Sequence, residues 1–183
     1  MAIHGGQGRQ HGNLESKAAI AERLLETMKL GPADVVFDVG SGDGYYSSRF
    51  AERCGTVIAV EAYAEALEGE YYRRPNIEGR GVDVCARLGE LPWARAAHVF
   101  FSNSFHDMEC QDELLATLSR ELRDGACLDL IEFHLDTPFG PPRHIRYSKE
   151  ALVAKVAPHG FVERASFDLE THYFVSFERR RPA

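Results

Sequence analysis

Two continuous apolar runs set the pattern of this chain: Val35-Val36-Phe37-Asp38-Val39 and Thr56-Val57-Ile58-Ala59-Val60. Runs of this length with no polar alternation predict strands buried on both faces. Between them lies an amphipathic segment after Tyr45, so the order is strand, turn, helix, strand. Upstream, Leu14, Ala18, Ala21, Leu24, Leu25 and Met28 recur at helical spacing until Gly31-Pro32 stops them. Downstream, residues 62–73 read as a second crossover helix ended by Pro75-Asn76, followed by a third strand at 77–82 and a fourth at 97–103. Leu114, Leu115, Leu118 and Leu122 mark another helix, closed at Asp124-Gly125. A fifth strand covers 127–133, with Asp129 and Glu132 taken as marking its ends. Ser148 is placed to cap a helix through Ala157 that turns Leu152, Val153 and Val156 inward. The last two strands, 162–169 and 173–178, are joined too tightly for anything but a hairpin. The sum is an α/β fold, a mostly parallel sheet with right-handed crossovers and helices on both faces.

Composition narrows this to one soluble domain. At 183 residues, 44% hydrophobic and net charge −7, the chain can bury a core and offers little to nucleic acid. Residues 13–183 are expected to form the domain, and 1–12, rich in Gly, Gln and His, a flexible tail in which His4 and His11 serve no metal. Neither a signal peptide nor a membrane span is read, which predicts a cytoplasmic protein. The basic run Arg179-Arg180-Arg181 reads as a solvated tail. Cys54, Cys85, Cys110 and Cys127 form no Cys-x-x-Cys pair, so reduced thiols are expected rather than a zinc site or a disulfide framework.

The candidate chemistry begins at Asp38-Val39-Gly40-Ser41-Gly42-Asp43-Gly44. A chain that leaves a buried strand and turns at once into a helix needs backbone angles that side chains resist, and a ligand lying on the turn needs backbone without a Cβ. Asp38 and Glu61, each at a strand end, are acceptors for an amino group and for ribose hydroxyls. The third glycine comes one residue earlier than in the dinucleotide fingerprint, with Tyr45 at the expected place. The ligand implied is a nucleoside without a pyrophosphate.

Asp38-x-Gly40-x-Gly42-x-Gly44 followed by Glu61 resembles motif I and the acidic second strand of class I methyltransferases that use S-adenosylmethionine, and the later segments are similar to their small ubiquinone-biosynthesis-like (type 11) group. The resemblance covers about 13–177. It implies a Rossmann-like seven-stranded sheet of order 3-2-1-4-5-7-6 with strand 7 antiparallel, and a cofactor site that takes in Ser41, Tyr45, Ala62, Asp83, Val84, Ser102 and Asn103, with S-adenosylhomocysteine as product. Asp83 matches the acceptor for the adenine amino group, or else serves as a loop or helix-capping carboxylate. Leu91-Pro92-Trp93 matches the turn before the fourth strand. His98 stands where relatives have Asp, and a surface or strand-start role is expected of it. Ser102-Asn103-Ser104-Phe105-His106-Asp107 resembles motif IV, which makes His106 the candidate general base or substrate-orienting group. Tyr46, His134, Arg143 and Arg146 are the candidates for binding a small-molecule acceptor, approached by in-line displacement at the methyl group. A monomer or homodimer is expected. Two alternatives are a catalytically silent S-adenosylmethionine-binding regulator and a nicotinamide-dependent oxidoreductase.

Overall fold

The computed structural model describes residues 16–181. Seven strands form one sheet in the order β3-β2-β1-β4-β5-β7-β6: β1 (Val35–Val39), β2 (Thr56–Glu61), β3 (Ile77–Gly81), β4 (His98–Ser102), β5 (Cys127–Phe133), β6 (Phe161–Asp168) and β7 (His172–Arg179). The first five pair in parallel, and β7 runs antiparallel to both β5 and β6. Among the described residues four α-helices accompany them: α1 (Lys17–Met28), α2 (Tyr45–Phe50), α3 (Gln111–Glu121) and α4 (Lys149–Val156).

Strand alternation explains why the apolar runs are continuous. Val36, Val57, Phe100 and Phe174 pack with Leu24, Met28 and Phe50 of α1 and α2. Phe37, Ile58, Val99 and Val175, one residue along each strand, pack with Leu114, Leu118 and Leu152 of α3 and α4. Both faces of the central strands are covered, so both alternate positions must be apolar. Because β1 connects outward to β2 while β4 connects the other way to β5, the chain diverges between β1 and β4. Ligands of open α/β sheets lie in the crevice at the carboxyl ends of such a pair.

Four expectations are corrected. Residues 62–73 do not form an α-helix but two 3-10 segments, Ala64–Glu68 and Glu70–Arg73, broken where Gly69 is extended. Only Tyr72 of this stretch is buried, so no apolar face rewards a regular helix. Cys85 and Cys110 are joined by a disulfide, their Cα atoms 5.4 Å apart, while Cys54 and Cys127 are free and buried as expected. His98 starts β4 but is buried, its Nδ1 2.7 Å from the fully buried Asp129, which sits inside β5 rather than at its end. Arg179 is no solvated residue. It closes β7, buried, and its Nε donates to the Ser119 carbonyl.

The tail expected at 1–12, with His4, His11 and the helix residue Leu14, lies outside the described residues. Among the described residues no helix is long and apolar enough to cross a membrane, and no three His, Cys, Asp or Glu side chains gather as a metal site requires.

Candidate active site

The turn after β1 is held from three sides. The amides of Gly40 and Ser41 donate to the Val60 carbonyl of β2 (2.8 and 3.2 Å). The Ser104 hydroxyl, from the loop after β4, donates to the Val39 carbonyl at 2.7 Å. The Tyr72 hydroxyl donates to the Gly42 carbonyl at 2.7 Å and lies 2.9 Å from the Ser41 hydroxyl. Glu61 completes the frame, one carboxylate oxygen accepting from the Gly42 amide (2.9 Å) and the other from the Tyr63 amide (3.1 Å). Two glycines are required for different reasons. At Gly40 a Cβ would come within 2.5 Å of the Ser104 Cβ, whereas at Gly42, with φ +56°, it would meet nothing within 4 Å. Gly40 is fixed by packing; Gly42 leaves open the space a ligand would use.

Two cavities meet at Gly40. One, about 320 Å³, lies against Val39, Glu61 and Ala62 and runs under Asp83, Val84 and Cys85, with Asp107, Met108 and Glu109 on its far wall. The other, about 350 Å³, is bounded by Asp38, Ser41, Gly42, Tyr46, Ser102 and Asn103 and by Lys17 at the start of α1. Asp38 is buried, and its carboxylate accepts from the Ser47 hydroxyl at 2.6 Å. Burial pushes its pKa up to about 7 against the opposing pull of that hydrogen bond. Asn103 adopts φ +55°, and its side-chain oxygen is buried without a partner. A buried unpaired acceptor on a cavity wall is a place for a donor from a ligand.

Lys17 brings the opposite charge. Its ammonium is 3.1 Å from Asp43 and sits over the rings of Tyr45 and Tyr46, 4.6 and 5.5 Å from their centroids. Of this aromatic pair Tyr46 reaches the cavity wall, while Tyr45 packs edge-on against Tyr71 and lines neither cavity. Gly44 caps α2 in the left-handed region beneath the Tyr72 ring and also lines neither. Asp83 lines the first cavity and accepts from the Cys85 amide at 2.9 Å, so it is both a loop-closing carboxylate and a wall residue.

His106 lies in a 3-10 turn, residues 105–107, at the edge of the first cavity: Asp107 lines that cavity, while His106 itself lines neither. The imidazole is buried, its Nδ1 2.6 Å from Glu132 of β5 and its Nε2 3.5 Å from the exposed Asp107. Burial pulls the imidazole pKa down, but the hydrogen bond and charge of Glu132, then the charge of Asp107, outweigh it and hold the pKa above the ordinary value. Of the residues expected to bind the acceptor, Tyr46 lines the second cavity, and Arg146, His134 and Arg143 line neither. Arg146 spends its guanidinium on the carbonyls of Pro141, His134, Thr137 and Phe139, which folds the loop after β5 around it. His134 faces the Leu169 carbonyl at 3.1 Å, and Arg143 is exposed.

Lys17, Tyr72 and Glu132 were not found by sequence reasoning. Glu132 did carry a signal: a carboxylate inside an apolar strand must find a partner, and the strand's other acid, Asp129, found His98 in the same way.

A methyltransferase domain model matches residues 37–128. A protein-L-isoaspartate O-methyltransferase of Aeropyrum pernix is 38% identical over 74 residues, 39% of this chain and 27% of that protein. An uncharacterized methyltransferase of Mycobacterium tuberculosis is 30% identical over 112 residues, 61% of this chain and 57% of the relative. The chain thus spans less than two thirds of the length of these curated relatives. A SAM-dependent methyltransferase from Aquifex aeolicus superposes with TM-score 0.75 over 90% of this chain and 94% of its own, at 19% identity, a likeness of fold.

Proposed function

Because the chain belongs to the methyltransferase domain family, we propose that it moves a methyl group from S-adenosylmethionine to a small-molecule acceptor and releases S-adenosylhomocysteine. The observation that carries this reading is the pair of cavities meeting at Gly40: one bordered by the acids Glu61 and Asp83, the other by Asp38 and Lys17. That is a cleft for a nucleoside joined to a zwitterionic amino-acid chain. S-adenosylmethionine, when bound, supplies an electrophilic methyl group on a sulfonium centre.

The protein's own groups divide the work. Asp38 and the unpaired Asn103 oxygen would accept from the cofactor's ammonium, and Lys17 would pair with its carboxylate. Glu61, already fixed by two amides, would offer its remaining lone pairs to ribose hydroxyls, and Asp83 would accept from the adenine amino group. Holding donor and acceptor in line supplies much of the acceleration. His106 takes the acceptor's proton at Nε2 while Glu132 holds Nδ1, which fixes the ring and its tautomer. The net charge of −7 favours a small acceptor over a polyanion. The Aeropyrum relative is named for action on protein, so the acceptor screen must include isoaspartyl peptides beside hydroxyl, amine and thiol metabolites.

Calorimetry with S-adenosylhomocysteine is the first test: failure of the folded protein to bind it sinks the reading. A screen with radiolabelled methyl donor then identifies the acceptor. His106→Gln is expected to leave S-adenosylhomocysteine affinity within about twofold while turnover falls roughly 10²-fold or more; unchanged turnover removes His106 as the base.

A further inference from the structure

Beyond the ends of β1 and β2, the first cavity is lined by two loops that are distant in sequence. Val82, Asp83, Val84 and Cys85 come from the chain after β3, and Asp107, Met108 and Glu109 from the chain before α3. The Cys85–Cys110 disulfide ties the end of the first loop to the residue that follows the second. Cys85 is itself a wall residue, and its amide is the donor that holds Asp83. The bond therefore fixes how far apart the two walls stand and how Asp83 is presented.

We propose that Cys85 and Cys110 form a redox modification site that sets the affinity of the adenosyl end of the cleft: the disulfide form binds cofactor tightly and the dithiol form binds it weakly. This rests on the cofactor reading given above. The reaction is thiol–disulfide exchange with a low-molecular-weight disulfide. The thiolate of one cysteine attacks a sulfur of that disulfide and releases one small thiol. The second cysteine then attacks the mixed disulfide, forms the Cys85–Cys110 bond and releases the other. Two protein thiols are oxidised, one small disulfide is reduced to two thiols, and their protons pass to the products. Both cysteines are half-buried and within reach of such a reagent. Cys54 and Cys127 do not compete, because they are buried and burial pushes each thiol up to about 11.

Reduction leaves the two loops held only by their packing. Val82, Cys85, Met108 and Cys110 each sit only partly buried at the margin of the α3 side of the core. Without the bond the loops are free to separate, and the cofactor must then hold the wall together at the expense of its own binding energy. Linkage makes the effect reciprocal: bound cofactor must make the disulfide harder to reduce by the same factor by which the disulfide tightens cofactor binding.

The test is calorimetric titration of S-adenosylhomocysteine into the protein equilibrated with oxidised glutathione and, separately, with dithiothreitol, with free thiols counted in denaturant for each sample. Two free thiols and tight binding are expected in the first, four thiols and about tenfold weaker binding in the second. Cys85→Ser/Cys110→Ser, in which neither loop keeps a thiol that glutathione could cap, is expected to bind weakly under both conditions, with circular dichroism reporting that it is folded. Equal affinity of the two wild-type forms overturns the switch, as do four free thiols after oxidation or a double-serine protein that still responds to dithiothreitol. Absence of binding to either form overturns the cofactor reading and the switch together, which separates that failure from equal affinity.

Discussion

Asp38 shows at the scale of one residue how a buried carboxyl proposed to bind the cofactor costs stability. Its carboxyl is fully buried and keeps its proton up to about pH 7 in the folded chain, while the unfolded chain releases it near 4. Between those values the folded state holds the extra proton, so stability falls as pH rises and the full cost is present above pH 7. Asn in its place has no charge to bury and can still accept from Ser47. Asp38→Asn is therefore expected to be more stable than wild type by roughly 2–4 kcal/mol at pH 8 and little different at pH 4, and to bind S-adenosylhomocysteine about 10- to 100-fold more weakly through loss of a charge-assisted bond. Urea melts at the two pH values check the first part; a stability gap that does not grow with pH would refute it. His106 works in the opposite sense. Its pKa is raised, so the neutral ring that accepts a proton appears only above the ordinary value near 6.5, and the acid limb of the rate profile should lie above that pH. Glu132→Gln removes the charge responsible and is expected to move that limb to lower pH. A limb that stays in place would show that Glu132 does not set the protonation of His106. The stability that the His106–Glu132 pair contributes is full below pH 6.5 and is lost as pH climbs through the raised value.

At the scale of elements, the chain announces what it repeats and hides what it pairs across distance. The strands, the glycine turn and the closing hairpin were legible because continuous apolar runs and left-handed positions leave marks in local sequence. Residues 62–73 misled because their alternation of Ala, Glu and Leu has helical propensity, yet almost nothing there is buried, and packing decides where propensity is marginal. Cys85 and Cys110 are 25 residues apart and belong to no motif, so only the fold brings them together. Arg146 is the same kind of case. Its sequence context suggested a side chain that binds the acceptor, whereas its guanidinium is the centre on which the loop after β5 is wound, with four carbonyl oxygens within 3.0 Å. Arg146→Ala is expected to cost about 2–3 kcal/mol in global stability, a value discounted for the partial exposure of the side chain. It should also sharply raise proteolysis between 134 and 147. Intact resistance to protease would show that the loop holds its shape without the arginine.

For the molecule as a whole, the topology places the glycine turn, the loop after β4 and the start of α1 around one crevice. Nearly every contact across that crevice joins distant parts of the chain: Lys17 to Asp43, Gly42 to Glu61, Ser104 to Val39, His106 to Glu132. A ligand filling it touches several of these elements at once and binds only the folded state, so its binding energy adds to global stability. At a concentration 100 times its Kd such a ligand contributes about 2.7 kcal/mol. In a chain of 183 residues that corresponds to a rise in Tm of roughly 5–10 °C. S-adenosylhomocysteine is expected to produce this shift. NAD at the same concentration is expected to produce none, because the early third glycine, Gly44, caps a six-residue helix beneath the Tyr72 ring and lines neither cavity, which leaves no place to seat a pyrophosphate. A larger shift with NAD than with S-adenosylhomocysteine would overturn the assignment of the cleft and favour hydride transfer. A shift with S-adenosylhomocysteine that disappears in Asp38→Asn would locate the bound ligand in the second cavity, beside Lys17 and Asn103, without a crystal of the complex.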